Sequence, residues 1–225
     1  MNKSIAPHEL HSADDILTPQ LRVMHVISGD LWAGAEMQAY TLIKALAVNC
    51  NPIAVVLNEG ELVNRLVKAG ITVHVISEVG NNSITIIYKL IKIIKIYSPH
   101  IIHTHRIKEN VVASIANIVT AFPRRRITCI RTVHGAPEHK GNLITLLRNK
   151  IDAWIGNYLQ DSIVAVSSEL AEQLTLQFGD KKVKTIRNGL EKNLITSYAP
   201  DLSILRTPGI HIGIVGRLEP VKRVD

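Results

Sequence analysis

Short apolar runs alternate along this chain with longer segments of helical period. Leu21 to Ser28 follows Pro19 and reads as a strand, and Ala35 to Val48 reads as a helix ended by Asn51-Pro52. The alternation continues through strands at Pro52–Leu57, Thr72–Ile76 and His100–Thr104. Three more strands follow at Ile127–Val133, Ser162–Val166 and Val183–Ile186. Between them the spacing predicts helices at Glu61–Lys68, Lys108–Ala121 and Leu143–Tyr158. Two further helices open on cap residues, Ser83 and Ser167, and close at Ser98-Pro99 and Gly179.

Strands separated by helices of this length require crossovers, and crossovers build a parallel sheet. Continuous apolar strands such as Ile163-Val164-Ala165-Val166 suit a sheet covered on both faces. The fold class is α/β, a doubly wound parallel sheet. Such sheets bind ligands beyond the carboxyl ends of their strands. The pattern changes after Asn188-Gly189. Residues 191–208 read as a linker, and Ile210 to Val215 reads as the first strand of a second domain, of which 209–225 would be only the start. Residues 1–20 are polar, without an apolar core, and read as a flexible tail rather than a signal peptide.

Composition narrows the function classes. The 225 residues are 46% hydrophobic and 20% charged, which supports a packed core and excludes a disordered chain. Cys50 and Cys129 are too few and too far apart for a disulfide framework or a cysteine zinc site. The net charge of +7 admits nucleic acid, anionic lipid or phosphorylated partners. Nucleic acid is disfavoured, because no helix-turn-helix, zinc finger or aromatic interleaving is present. Lys89, Lys92 and Lys95 stripe the segment Ser83 to Tyr97, opposite Ile86, Leu90, Ile93 and Ile94. That pattern fits a surface helix packed on a sheet; the alternative is peripheral contact with an anionic membrane.

Candidate chemistry lies in the loops after the strands. Ser28 to Glu36 holds two glycines, Gly29 and Gly34, before a helix whose amides can meet an anion. It matches neither a G-x-G-x-x-G fingerprint nor a P-loop, since Ala35-Glu36 stands where Lys and Ser or Thr belong. Glu36 either favours the helix dipole or binds a polar ligand. His103 and His105 point to one side by strand alternation, with no third metal ligand evident, so they line a polar cleft or sit hydrogen-bonded in the core. His134 follows a strand beside Gly135, well placed to meet a substrate hydroxyl. Asn188-Gly189 is a turn at another strand end, and Arg217 with Lys222 suits a diphosphate.

Taken in order, these segments resemble the family 4 glycosyltransferases of the GT-B fold. The resemblance rests on Gly29 to Glu36, His103-Thr104-His105, Thr132-Val133-His134-Gly135, Val166-Ser167, Ile186-Arg187-Asn188-Gly189 and Gly216-Arg217-Leu218 with Lys222. Ala33 stands where the family usually has the first of two adjacent glycines. The resemblance implies two Rossmann-like domains, with residues 21–190 as the acceptor side and the nucleotide-sugar domain truncated. It implies sugar transfer with retention of configuration, from a nucleoside-diphosphate sugar, without metal or further cofactor. By that resemblance His134 is catalytic and contacts the acceptor or the transferred sugar. Gly34, Glu36, His103, His105, Asn188 and Gly189 line the cleft, and Arg217 and Lys222 neutralise the leaving diphosphate.

The expected function is therefore hexosyl transfer onto a glycan, lipid or polysaccharide precursor of the cell envelope. The chain alone is expected to be inactive, because the family's paired glutamates fall beyond residue 225. The alternative is a non-catalytic module that binds a glycan or a partner chain. A cytoplasmic location, with possible contact at the inner membrane face, goes with the resemblance.

Overall fold

The computed structural model describes residues 20–124, 126–135 and 143–190. Seven strands alternate with six helices among them. They run β1 (Leu21–Ile27), α1 (Gly34–Leu46), β2 (Cys50–Val56), α2 (Glu61–Lys68), β3 (Thr72–Val75), α3 (Ser83–Tyr97) and β4 (Ile101–Thr104). Then come α4 (Ile107–Ala121), β5 (Thr128–Val133), α5 (Leu143–Tyr158), β6 (Ser162–Ala165), α6 (Ser168–Phe178) and β7 (Val183–Thr185). The strands form one sheet in the order β3-β2-β1-β4-β5-β6-β7, and every pair is parallel. This is the doubly wound Rossmann-like arrangement that the alternation predicts.

The chain divides into two compact units, 1–189 and 190–225. Apart from Leu190, the second lies outside the described residues, as do the expected tail before Gln20, the linker at 191–208 and the strand at Ile210.

Alternation along the strands assigns the two sheet faces. Val55 and Leu57 pack with Ile86, Leu90 and Ile94 of α3 and with Ala113 and Ala116 of α4. Ala54 and Val56 point the other way and meet Ala39 and Ile43 of α1 and Leu62 and Leu66 of α2. Ile163 and Ala165 pack under Leu170, Leu174 and Phe178 of α6. Burying each of the valine, leucine, isoleucine and phenylalanine side chains among them contributes about 1.5–3 kcal/mol. Both faces are thus covered over β1–β3. Over β4–β6, the face that carries His103, Ile130, Thr132 and Val164 instead lines a groove of about 300 Å³.

One detail departs from the sequence reading. The cap of α3 is Asn82, not Ser83: the Asn82 side chain accepts from the Thr85 amide at 2.9 Å, and Ser83 is the first helical residue. The cap at Ser167 is as expected, with its hydroxyl accepting from the Leu170 amide. Arg126 donates to Asp161 through two bonds of 2.6 and 3.0 Å. In α3 the apolar stripe faces the core and Lys92 lies over the Tyr88 ring, which matches a surface helix packed on a sheet. No helix among the described residues is long and apolar enough to cross a membrane.

Candidate functional site

The strand order reverses between β1 and β4, so the loops after these two strands flank the switch point where such sheets open a crevice. The loop after β1 is shaped by Gly29, not Gly34. Gly29 has φ +78°, and a Cβ there would lie 2.2 Å from Cγ1 of Val56. A Cβ at Gly34 would meet nothing within 4 Å. The loop leads into α1, whose first turn carries Glu36, fully buried. Glu36 Oε1 accepts from Nη2 of Arg106, and Arg106 Nη1 lies 3.3 Å from Asp30. Arg106 stands at the N-cap of α4 and so latches the loops after β1 and β4 together.

The histidines form a stack on the sheet face. Strand register sets His25 directly beside His103. Ring centroids are 5.0 Å apart for His25–His103, 4.5 Å for His103–His105 and 5.6 Å for His105–His134. His103 Nε2 lies 2.8 Å from the Thr132 hydroxyl. His25 Nδ1 lies 3.4 Å from His105 Nε2, and His105 Nδ1 lies 3.3 Å from His134 Nε2. Burial first, and then neighbouring imidazoles, hold His25 and His105 well below the ordinary histidine value and push His103 down to about 4. His134 is also lowered, by burial and then by the charge of Arg106. The stack is therefore neutral at pH 7.

This corrects the expectation that the His103–His105 pair lacks a third partner. His25 completes a trio whose nitrogens lie within 4.8 Å of one another, a set that could suit a transition metal. His25 Nδ1, His103 Nε2 and both nitrogens of His105 have hydrogen-bonding partners within the protein. His25 Nε2 is buried and without a partner. The sequence signal for His25 was a polar residue set among the apolar positions Val23 to Ile27.

Two cavities meet at this stack. The groove of about 300 Å³ is lined by His103, His105, His134, Asn188 and Gly189, together with Leu42 and other apolar side chains. Five of the expected site residues thus come together. Glu36 and Gly34 do not line it. A second, more polar cleft of about 630 Å³ is also lined by His105 and His134. Its wall includes Asp30, Glu78, Arg106, Lys108, Glu109 and Arg131. Arg106, Glu109 and Arg131 were not singled out from sequence.

Glu109 sits in the first turn of α4, 1% exposed, and neither carboxyl oxygen has a partner. Burial raises its pKa to about 7, against the opposing pull of its own backbone amide and Arg106. Arg131 is held from beneath. Its Nη1 donates to Asp152 at 2.7 Å, and the other Asp152 oxygen accepts from Asn110 at 2.9 Å. Asn110 in turn accepts from Gln160 at 2.6 Å. Such a connected buried network fixes the guanidinium in place. Its Nε remains buried and unpartnered. Arg217 and Lys222 lie outside the described residues.

Similar proteins agree with the architecture. Among curated proteins none matches this chain. HepE from Anabaena, crystallised with UDP-glucose, superposes with a TM-score of 0.66 at 19% identity, over 83% of this chain and 49% of its own. A glycosyltransferase from Rickettsia africae gives 0.58 at 21% identity, over 81% and 47%. A UDP-N-acetylglucosamine 2-epimerase from Rickettsia bellii gives 0.55 at 12% identity, over 76% and 45%. At these identities the likeness is one of fold, and the chain spans about half the length of the structures it matches. The family model for glycosyltransferase family 4 matches residues 32–194, most of the chain. The chain therefore belongs to glycosyltransferase family 4 and carries the Rossmann-like N-terminal region of the GT-B fold.

Proposed function

We propose that this chain is the acceptor-side part of an enzyme that moves a hexosyl group from a nucleoside-diphosphate sugar to a hydroxyl of a glycan, lipid or polysaccharide precursor. The observation that supports this reading most is the meeting of His105 and His134 with two cavities, in a chain of family 4, at the switch point of the sheet. Domain limits of 21–190 for the acceptor side, 191–208 for the linker and 209–225 for the start of the donor side belong to the same proposal. So does a cytoplasmic location with peripheral membrane contact.

In this reading the acceptor hydroxyl enters the cleft and meets His134, which stays neutral and hydrogen-bonds the acceptor or the sugar. The acceptor oxygen bonds to the anomeric carbon as the bond from that carbon to the diphosphate oxygen breaks. The electron pair leaves with the diphosphate, which also takes the acceptor proton. Transfer occurs with retention of configuration. Arg217 and Lys222 stabilise the charge that grows on the leaving group, so the donor needs no metal.

The test uses a protein that joins this chain to a nucleotide-sugar-binding domain, supplied with UDP- and GDP-hexoses. Donor-dependent release of nucleoside diphosphate is expected, with His134→Ala lowering kcat roughly 100-fold or more. Absence of release with every donor, or release unchanged in His134→Ala, sinks the reading. A non-catalytic module instead predicts saccharide binding without turnover.

A further inference from the structure

The larger cleft has a chemistry of its own, and what it recognises can be argued from the groups that its wall leaves unsatisfied. Glu109 offers two buried acceptor oxygens and Arg131 a buried Nε–H donor, none with a protein partner. Both residues line the same cleft of about 630 Å³. Each group has lost water, and a buried polar group without a partner destabilises the fold. A ligand that gives and accepts hydrogen bonds at neighbouring atoms recovers that cost. Sugar and cyclitol rings do so, because each hydroxyl is both donor and acceptor.

The charge around the cleft decides between a neutral and an anionic ligand. Arg106 faces Glu36 and Asp30, Lys108 lies 2.8 Å from Glu78, and Arg131 lies 2.7 Å from Asp152. Every lysine and arginine lining the cleft among the described residues is thus already matched by a carboxylate, and Arg106 by two. A phosphate entering here would meet excess negative charge despite the basic sequence as a whole.

We propose that this cleft is a subsite for an uncharged polyol ring, with Glu109 accepting from its hydroxyls and Arg131 Nε–H donating to one of them. It rests on the proposed transferase reading in that the ring would be the acceptor's. It names the acceptor's chemistry there: a neutral saccharide or cyclitol rather than a phosphorylated one. Glu109 and Arg131 are specificity-determining residues, and Asp152 positions Arg131.

The experiment is a titration of the 15N-labelled 225-residue chain, read at the amides of Glu109 and Gly135. The probes are glucose, galactose, mannose and myo-inositol, against glucose 6-phosphate and inorganic phosphate at matched ionic strength. At least one neutral ring is expected to saturate these shifts below about 100 mM, and the phosphates to bind more weakly. Glu109→Gln and Glu109→Ala should each weaken that binding roughly tenfold. Unchanged amide shifts outside the cleft in Glu109→Gln separate lost binding from lost folding.

Tighter binding of either phosphate, no saturation by any neutral ring, or unchanged binding in both variants would overturn the proposal. The binding test needs no turnover. Polyol binding without donor-dependent transfer in the joined protein therefore rejects the transferase reading and keeps the subsite; the reverse result does the opposite.

Discussion

Nδ1 of His105 lies 3.3 Å from Nε2 of His134, and the opposite nitrogen of His105 lies 3.4 Å from Nδ1 of His25. One proton bridges each contact, so neutral rings in series must all donate in the same direction. The far end decides which. His25 Nε2 is buried without a partner, and an orphaned N–H is rarer in proteins than an orphaned acceptor. His25 Nδ1–H therefore donates to His105, and His105 Nδ1–H donates to His134. His134 accepts at Nε2 and carries its hydrogen on Nδ1, which makes it a hydrogen-bond donor toward the cleft. Imidazole 15N shifts should show the Nδ1–H form at His134 in the native chain. His105→Phe should release Nε2 and mix the two tautomers. An Nε2–H signal at His134 in the native protein would reverse the assignment.

The same burial makes the fold sensitive to acid. His25, His103 and His105 have folded values below the unfolded value, His103 at about 4. Between about pH 4 and 6.5 the unfolded chain binds protons that the folded stack refuses, so stability falls as pH falls through this window. Each histidine contributes a slope of about 1.4 kcal/mol per pH unit, and three give about 4. Urea unfolding of the Glu109→Gln chain between pH 7 and 5, with the opposing carboxyl removed, measures this slope. His103→Gln should lower it by one proton's share.

Glu109 acts in the opposite sense. Its folded value is raised from 4.5 to about 7, so the folded state holds a proton that the unfolded state has lost. Stability therefore falls as pH rises from about 4.5 to 7 and is level above that. Glu109→Gln should add up to roughly 3 kcal/mol at pH 8 and almost nothing at pH 4.5. Equal effects of the substitution at the two pH values would contradict the buried, unpartnered carboxyl.

Substitution of the two loop glycines separates the roles of Gly29 and Gly34. Gly29→Ala must place a Cβ 2.2 Å from Val56 while holding φ at +78°, and should cost about 2–4 kcal/mol. Gly34→Ala meets open space at the start of α1 and should change stability by less than about 0.5 kcal/mol. Thermal unfolding of both variants checks the contrast, and a stable Gly29→Ala protein would remove the steric argument.

The alternation of strands and helices was legible because it depends on local spacing. Apolar runs, cap residues and the prolines that close helices each act within a few positions. Even the shared side of His103 and His105 follows from strand alternation. Choosing Asn82 over Ser83 as a cap was beyond that reach, since both can cap and the backbone at Asn82 decided it. The site's other members were hidden for a different reason. His25 and His105 are 80 positions apart, and Glu36 and Arg106 are 70 apart. Only the β1–β4 register brings the first pair together, and only the crossing of two loops at the switch point joins the second. The sequence by itself determined the elements and the class of sheet. Tertiary structure decided which polar groups meet, which are satisfied and which remain to bind a ligand, because burial and pairing belong to the packed sheet and not to any one segment.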